Sequence, residues 1–167
     1  MSNSFDKLFE EMSRSGVGNR NELKGCTSRQ IQRLENQLGV TIPDSYRCFL
    51  LFMGQDSGRL FAHDRVQVTY ADVLNLTADA KAFLADSAGD NPANAHKCKL
   101  PADAIVILYR DSCDDYNFIR CNHTQDSSVW HFSQDIWPPK PVFRSVYTWL
   151  KAWCREASMA VQAGYYS

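Results

Sequence analysis

The sequence predicts an α+β fold: a single domain in which a twisted, mainly antiparallel sheet packs against helices. Two observations lead to this class. Apolar residues follow helical spacing in the first third of the chain and at its C-terminal end, whereas β-branched segments separated by short polar turns fill residues 104–132. Consecutive strands with short turns pair antiparallel, because a parallel pair needs a long crossover. A length of 167 residues fits one domain.

A short N-terminal helix is predicted from a single apolar stripe. Its four residues recur at i, i+3, i+4 and i+7: Phe5, Leu8, Phe9 and Met12. Gly16 and Gly18 end this pattern, so residues 16–26 are predicted to form a loop.

A pair of helices follows. Thr27 and Gln30 have the spacing of a capping box, which predicts a helix over residues 28–38 that ends at Gly39. Pro43 favours the start of a second helix, which the pattern predicts to end at Gly54. Because the turn between the helices is short, their apolar stripes are expected to be buried together, with Leu34 and Phe49 in the core.

The middle of the chain alternates between strand and helix patterns. Residues 59–62 and 65–70 suit strands by alternation and β-branching. Residues 71–86 return to helical spacing, with Thr77 as a candidate start of a new helix inside this span, and residues 87–99 are expected to form a long loop.

A three-strand meander is predicted next, over residues 104–109, 116–121 and 128–132. The proline-rich segment 137–141 is expected to be a stiff loop, because proline fixes φ. Ser145 is placed to cap a final helix, and residues after about 158 are expected to be a frayed tail.

The helix pair carries a recognisable pattern. It reads Ile31-x-x-Leu34-Glu35-x-x-Leu38-Gly39-Val40-x-Ile42-Pro43-x-x-Tyr46-x-x-Phe49-Leu50-x-x-x-Gly54. Together with the later strands and the Trp-rich closing helix, this pattern resembles the SUKH superfamily, which includes fungal cell-wall-assembly regulators and bacterial immunity proteins. The resemblance covers roughly residues 28–156. The chain departs from the family at the turn over residues 111–115, which is rich in aspartate where the family usually has glycine.

The resemblance implies a SUKH-like α+β domain over residues 27–158, preceded by an extension at 1–26 and followed by a disordered tail at 159–167. It implies no cofactor and no reaction. Bacterial members resemble immunity partners of secreted polymorphic toxins, many of them nucleases or deaminases, so the expected partner is a cognate toxin. The alternative is a regulatory or scaffold module that binds other proteins, as the fungal members resemble.

Composition limits the other function classes. A net charge of −1 argues against a general nucleic-acid binder, and no apolar run reaches the length of a membrane span. The charged N-terminus does not resemble a signal peptide, so a cytoplasmic location is expected. Motifs of phosphate loops, nucleophile elbows and zinc proteases are absent from the sequence, which disfavours a hydrolase.

The cysteines and histidines leave two interpretations. The six cysteines are scattered, as expected of free thiols in a reducing cytosol. A zinc site is the competing interpretation, and its four ligands are Cys113, Cys121, His123 and His131. Zinc ligands usually come in closely spaced pairs, and the only close pair here is Cys121-x-His123, so no metal site is predicted.

Acidic residues supply the candidate binding surface. Residues 64–135 contain 11 acidic and 6 basic side chains, and the densest acidic cluster lies on one turn. A solvated turn is the simple interpretation, and an acidic contact surface is the functional one. Alternate turns of a meander lie at opposite ends of a sheet, which excludes Asp126 from this surface. The predicted partner-binding set is Asp111, Asp114, Asp115, Asp135 and Trp137, with the tryptophan as an exposed apolar anchor.

Overall fold

The computed structural model describes residues 2–89, 99–122, 125–133 and 135–166. Helices and strands follow in the order α1 (Ser2–Arg14), α2 (Ser28–Leu38), α3 (Asp44–Met53), β1 (Val66–Gln67), α4 (Tyr70–Gly89), β2 (Ala104–Arg110), β3 (Asp115–Arg120), β4 (Val129–Phe132), β5 (Lys140–Phe143) and α5 (Val146–Gln162). The α+β class predicted from the sequence is confirmed.

The sheet is an antiparallel meander. Its strands lie in the order β1-β2-β3-β4-β5, and every neighbouring pair is antiparallel. The predicted meander is therefore confirmed for β2, β3 and β4. The prediction of a loop over residues 137–141 was wrong at its end, because β5 begins at Lys140. Pro141 is tolerated in β5 because an edge strand leaves one row of backbone N–H groups unpaired.

Of the two strands predicted ahead of β2, one is absent and the other is shorter than predicted. Residues 59–62 form turns. Leu60 and Phe61 are both buried although they are adjacent, a pattern that alternation along a strand does not produce. The strand predicted over residues 65–70 shrinks to the two residues of β1, because the Asp72 carboxylate accepts hydrogen bonds from the N–H groups of residues 68 and 69 and starts α4 there.

Helix α4 is continuous through Thr77, so no new helix starts at that residue. Thr77 is buried, and its hydroxyl oxygen accepts a hydrogen bond from the Val106 N–H at 3.0 Å. The register of β2 against β3 shifts between Val106 and Leu108. The side chain of Thr77 thus replaces a strand partner. The predicted loop over 87–99 begins later, since α4 extends to Gly89; residues 90–98 lie outside the described residues.

The α2–α3 pair agrees with its prediction in detail. Thr27 and Gln30 form both hydrogen bonds of the capping box, and Gly39 has a left-handed φ of 67°. Glu35 connects the two helices: its carboxylate accepts from the Ile42 N–H at 2.9 Å and from the Arg47 guanidinium. This contact fixes the turn and the start of α3 relative to α2.

Gly39 ends α2, and Gly54 ends α3 for a different reason. Its φ is −68°, so the position does not require a left-handed residue. The preceding chain passes close by, where the Cys26 N–H donates to the Leu50 carbonyl at 2.7 Å, and a Cβ on Gly54 would lie 2.8 Å from the Cys26 sulfur. Glycine is needed at this position because the segment at Cys26 lies too close to leave room for a side chain.

The sheet lies between two helical layers. Helix α4 packs on β2, and Phe83 of α4 contacts Tyr116 of β3 with ring centroids 5.3 Å apart. On the other side, α5 contacts α1, α3 and β5, with Phe49 and Trp149 edge-on at 6.1 Å. Residues Phe5, Leu8 and Met12 of α1 belong to this core, so the N-terminal extension is part of the packed structure.

Helix α5 begins where the sequence predicts and ends later. Ser145 and Thr148 form a capping box at its N-terminus, and Asp126 also accepts from the Val146 N–H at 3.2 Å. The frayed tail predicted after residue 158 does not start there, because α5 continues to Gln162. The buried Ala157 and the half-buried Val161 pack this last part of the helix against the core.

Leu34 and Phe49 are both fully buried, as the helix-pair pattern predicts. We expect Leu34→Ala to lower the free energy of unfolding by about 2–5 kcal/mol, because it leaves a cavity in a packed core. Leu51→Ala is the matched control: Leu51 lies on α3 and is 41% exposed, so a change within about 0.5 kcal/mol is expected. Urea denaturation measures both, and equal losses for the two variants would contradict the assignment of the core.

Thr77 provides a second test. Thr77→Val keeps the shape of the side chain but removes the acceptor for the Val106 N–H, so we expect a loss of about 1–3 kcal/mol from an unsatisfied buried donor. Thr77→Ser retains the hydroxyl and should lose less. The comparison uses chemical denaturation, and a Val variant as stable as the Ser variant would show that the hydrogen bond has no net value.

Candidate functional site

The predicted partner-binding residues lie at one end of the sheet. The β2–β3 turn carries Asp111 and Asp114, and the β4–β5 loop carries Asp135 and Trp137. Both connections leave the same end, because Tyr116, just after the first, pairs with Phe132, just before the second. We call the five predicted residues, Asp111, Asp114, Asp115, Asp135 and Trp137, the acidic end.

Asp114 holds the β2–β3 turn together. Its backbone has a positive φ of 48°, a conformation that aspartate tolerates better than most residues. The Tyr109 hydroxyl donates to the Asp114 carboxylate at 2.8 Å, and this hydrogen bond is the main reason that the pKa of Tyr109 is raised. The Tyr109 ring also packs on Tyr116, with centroids 4.7 Å apart. Asp114 is therefore a structural residue of the turn, whatever else it contacts.

Asp115 is paired inside the protein. One carboxylate oxygen lies 3.1 Å from His131 Nε2, and the other accepts from the Cys113 thiol at 3.0 Å and lies 3.5 Å from the Arg110 guanidinium. Burial alone would raise the pKa of Asp115, but the hydrogen bonds from Cys113 and His131 and the charges of His131 and Arg110 lower it below its usual value. This carboxylate is held ionised by its neighbours.

The remaining members differ in exposure. Asp111 and Asp135 are exposed. Trp137 is half-buried and meets Phe132 edge-on, with ring centroids 5.8 Å apart. The expectation that Trp137 is an exposed anchor is therefore corrected: one part of its surface packs on the core, and only the rest can meet a partner.

The zinc interpretation fails on geometry. Cys113 precedes β3 and Cys121 follows it, so the two sulfurs lie at opposite ends of the strand, roughly 25 Å apart. His123 lies outside the described residues. Within the described part of the chain, no group of three or more His, Cys, Asp and Glu residues is arranged to hold a metal ion. Five of the cysteines are described, and all five are free thiols: Cys26, Cys48, Cys113, Cys121 and Cys154.

A second candidate site, which sequence reasoning missed, lies between the sheet and α5. It is a cleft of about 300 Å³, and we call it the sheet–α5 cleft. Polar residues from four elements line it: Arg110, Asp115, Asn117, His131 and Glu156. Alternation brings them together, because residues 115 and 117 of β3 face α5 while Tyr116 and Phe118 face the other way.

The charges around the sheet–α5 cleft are partly paired. The Arg110 guanidinium binds Asp64 through two nitrogens, each 2.7 Å from the same carboxylate oxygen, and lies 5.7 Å from the centre of the Trp153 ring. On the α5 side, Glu156 lies 3.5 Å from His63 Nε2. Both ring nitrogens of His63 are buried and form no hydrogen bond with the described residues. The cleft thus combines acidic, basic and aromatic groups.

The ion-pair network predicts a pH-dependent contribution from Asp115. Because its folded pKa is lowered, its stabilisation is full above the unfolded pKa and is lost as the pH falls through the folded pKa. We expect Asp115→Asn to cost about 1–2 kcal/mol at pH 7 and to cost little at pH values well below about 4. Denaturation at several pH values checks this, with the exposed Asp111→Asn as the control; a cost independent of pH would contradict the assignment.

Comparison with known proteins completes the description of the site. None of the described helices is long and apolar enough to span a membrane. No curated protein matched the chain. The sequence model of the SMI1 / KNR4 family (SUKH-1) matches residues 25–152, a stretch that runs from the start of the α2–α3 pair into α5 and includes all five residues of the acidic end. The chain therefore belongs to the SMI1 / KNR4 family (SUKH-1).

Proposed function

We propose that this chain is an immunity protein that binds a cognate toxin and neutralises it in the cytosol, without catalysing a reaction. Membership of the SUKH-1 family is the observation that carries the proposal, because that family includes bacterial immunity proteins. Such a protein acts by occupying a surface of the toxin, so its function depends on the residues with which it contacts that partner.

The acidic end is the proposed docking surface. A toxin that attacks nucleic acid needs a basic cleft to bind phosphates, and an inhibitor gains association rate and specificity by presenting acids to that cleft. Asp111 and Asp135 are exposed at the same end of the sheet and are the acids best placed to meet a partner. The exposed part of Trp137 lies on the same loop as Asp135 and offers an apolar contact beside the charge.

The first test is protection. We expect the chain to restore growth when it is produced together with the toxin domain of a secreted protein encoded beside its own gene, and to form a complex with that domain in vitro. Failure to protect and failure to bind would contradict the immunity function. Binding to a host regulatory protein in place of a toxin would favour the alternative, a regulatory interaction module of the same family.

The second test locates the docking surface. We expect the double variant Asp111→Lys/Asp135→Lys to slow association with the toxin by about tenfold or more at low salt, because steering depends on these charges. Asp114 and Asp115 are unsuitable for reversal, since both are paired within the protein. Stopped-flow or surface-binding kinetics over a range of salt concentrations provides the measurement.

The matched control reverses two exposed acids away from the acidic end, Glu10→Lys on α1 and Asp44→Lys at the start of α3, which changes the net charge equally. If both double variants slow association to the same extent, the effect comes from net charge alone. An acidic-end variant that associates at the wild-type rate would place the docking surface elsewhere.

A further inference from the structure

We propose that the sheet–α5 cleft receives a basic side chain, lysine or arginine, from the protein partner. The inference deepens the proposed function and rests on it for the identity of that partner. Three properties of the cleft support it: the apolar character of one wall, the balance of charge, and the presence of side-chain oxygens with spare acceptor capacity.

The apolar wall suits the stem of a long basic side chain. Val142 and Phe143 from β5 and Ala152 from α5 line the cleft together with its polar residues. Val142 is 45% exposed, so its surface is open to contact from solvent. Lysine and arginine cover such apolar surface with their methylene groups while their charged ends stay among polar groups. At about 300 Å³, the cleft lies at the small end of ligand pockets, which are roughly 300–1,000 Å³.

The charge balance favours a cation. Three carboxylates lie in or beside the cleft. Asp115 and Glu156 line it, and Asp64 binds the lining residue Arg110. Arg110 is the guanidinium among the described lining residues, and all three of its nitrogens already face Asp64 or Asp115. It therefore has little capacity left for an anion. Lys140 lies opposite His131 in the register of β4 and β5. It is exposed and does not line the cleft.

Two lining side chains have acceptor capacity to spare. Asn117 is half-buried in β3 and forms no side-chain hydrogen bond with any described residue. The side chain of Glu156 is 55% exposed, and its one polar contact within the described part of the chain is with His63 at 3.5 Å, which is too long for a strong hydrogen bond. A lysine or arginine carries several donors and no acceptor, so its charged end complements the Glu156 carboxylate and the amide oxygen of Asn117.

The cleft also adjoins the acidic end. Asp115 belongs to both, since it follows the β2–β3 turn and lines the cleft. A partner whose basic surface meets Asp111 can therefore place one side chain in the cleft without a second, distant contact. The acidic end then governs the rate of association, and the cleft contributes to the lifetime of the complex.

A titration of the purified chain tests the chemistry of the cleft directly. The probes are N-acetyl-arginine methylamide and N-acetyl-lysine methylamide, with N-acetyl-citrulline methylamide as the uncharged isostere of arginine. NMR spectra report the Trp153 indole N–H and the Asn117 side-chain amide. We expect saturable shifts with the two basic probes and none with citrulline. Glu156→Gln should weaken the apparent Kd about tenfold, because it removes a charge-assisted hydrogen bond.

Glu10→Gln, on the exposed side of α1, is the matched control and should leave the titration unchanged. Asn117→Ala is a second cleft variant, expected to act in the same direction as Glu156→Gln. Equal shifts with arginine and citrulline, no saturable shift with either basic probe, or an unchanged Kd for Glu156→Gln would each overturn the inference.

The toxin complex separates this inference from the proposed function. If the toxin binds the wild-type chain and dissociates faster from both cleft variants, both stand. If the toxin binds all variants with the same lifetime, the inference about the cleft is overturned and the immunity function stands. If the wild-type chain binds no toxin, the proposed function fails, and the titration alone decides whether the cleft recognises a cation.

Discussion

The burial of β2 on both faces is the constraint on which the rest of the structure depends. Residues 104–108 are all buried, so both faces of this strand need an apolar cover. Helix α4, which comes just before β2 in the described chain, packs on one face, and the layer containing α5 covers the other. The strand becomes half-buried only at Tyr109 and Arg110. The polar side chains of β2 therefore lie at its C-terminal end, where the strand leaves the core.

Successive side chains of a strand point to opposite faces of the sheet, so these polar residues are divided between the two faces. Tyr109 lies on the α4 side and binds Asp114, whereas Arg110 lies on the α5 side and binds Asp64 and Asp115. The turn supplies Asp114 for the first pairing and Asp115 for the second, whereas Asp64 comes from the segment before β1. The aspartate-rich turn therefore stabilises both faces of the sheet. Asp111 has no such structural pairing through its side chain among the described residues, which leaves it available for recognition. Within this short segment Asp114 and Asp115 serve stability, and the proposed function assigns binding to Asp111.

Sequence reasoning succeeded where structure is decided locally. The capping box at Thr27, the left-handed Gly39 and the apolar run of β2 all depend on neighbours in the chain. It failed where a distant partner decides. Lys140–Phe143 becomes a strand only because β4 lies beside it, despite Pro141. The sheet–α5 cleft was missed for the same reason: Arg110, His131 and Glu156 are far apart in sequence, and only the fold brings them to one place.

The residues that carry the family resemblance explain the fold better than they explain recognition. Glu35 ties α2 to the turn and to α3, Gly39 supplies a left-handed cap, and Leu34 and Phe49 fill the core. Residues of this kind set the scaffold and do not by themselves identify a partner. Glu156 lies beyond the stretch that matches the family, and Asp111 lies exposed on the aspartate-rich turn within that stretch. Specificity for one partner is expected at Asp111 and Glu156, because both are exposed and a change at either alters the surface without disturbing the helix pair or the sheet.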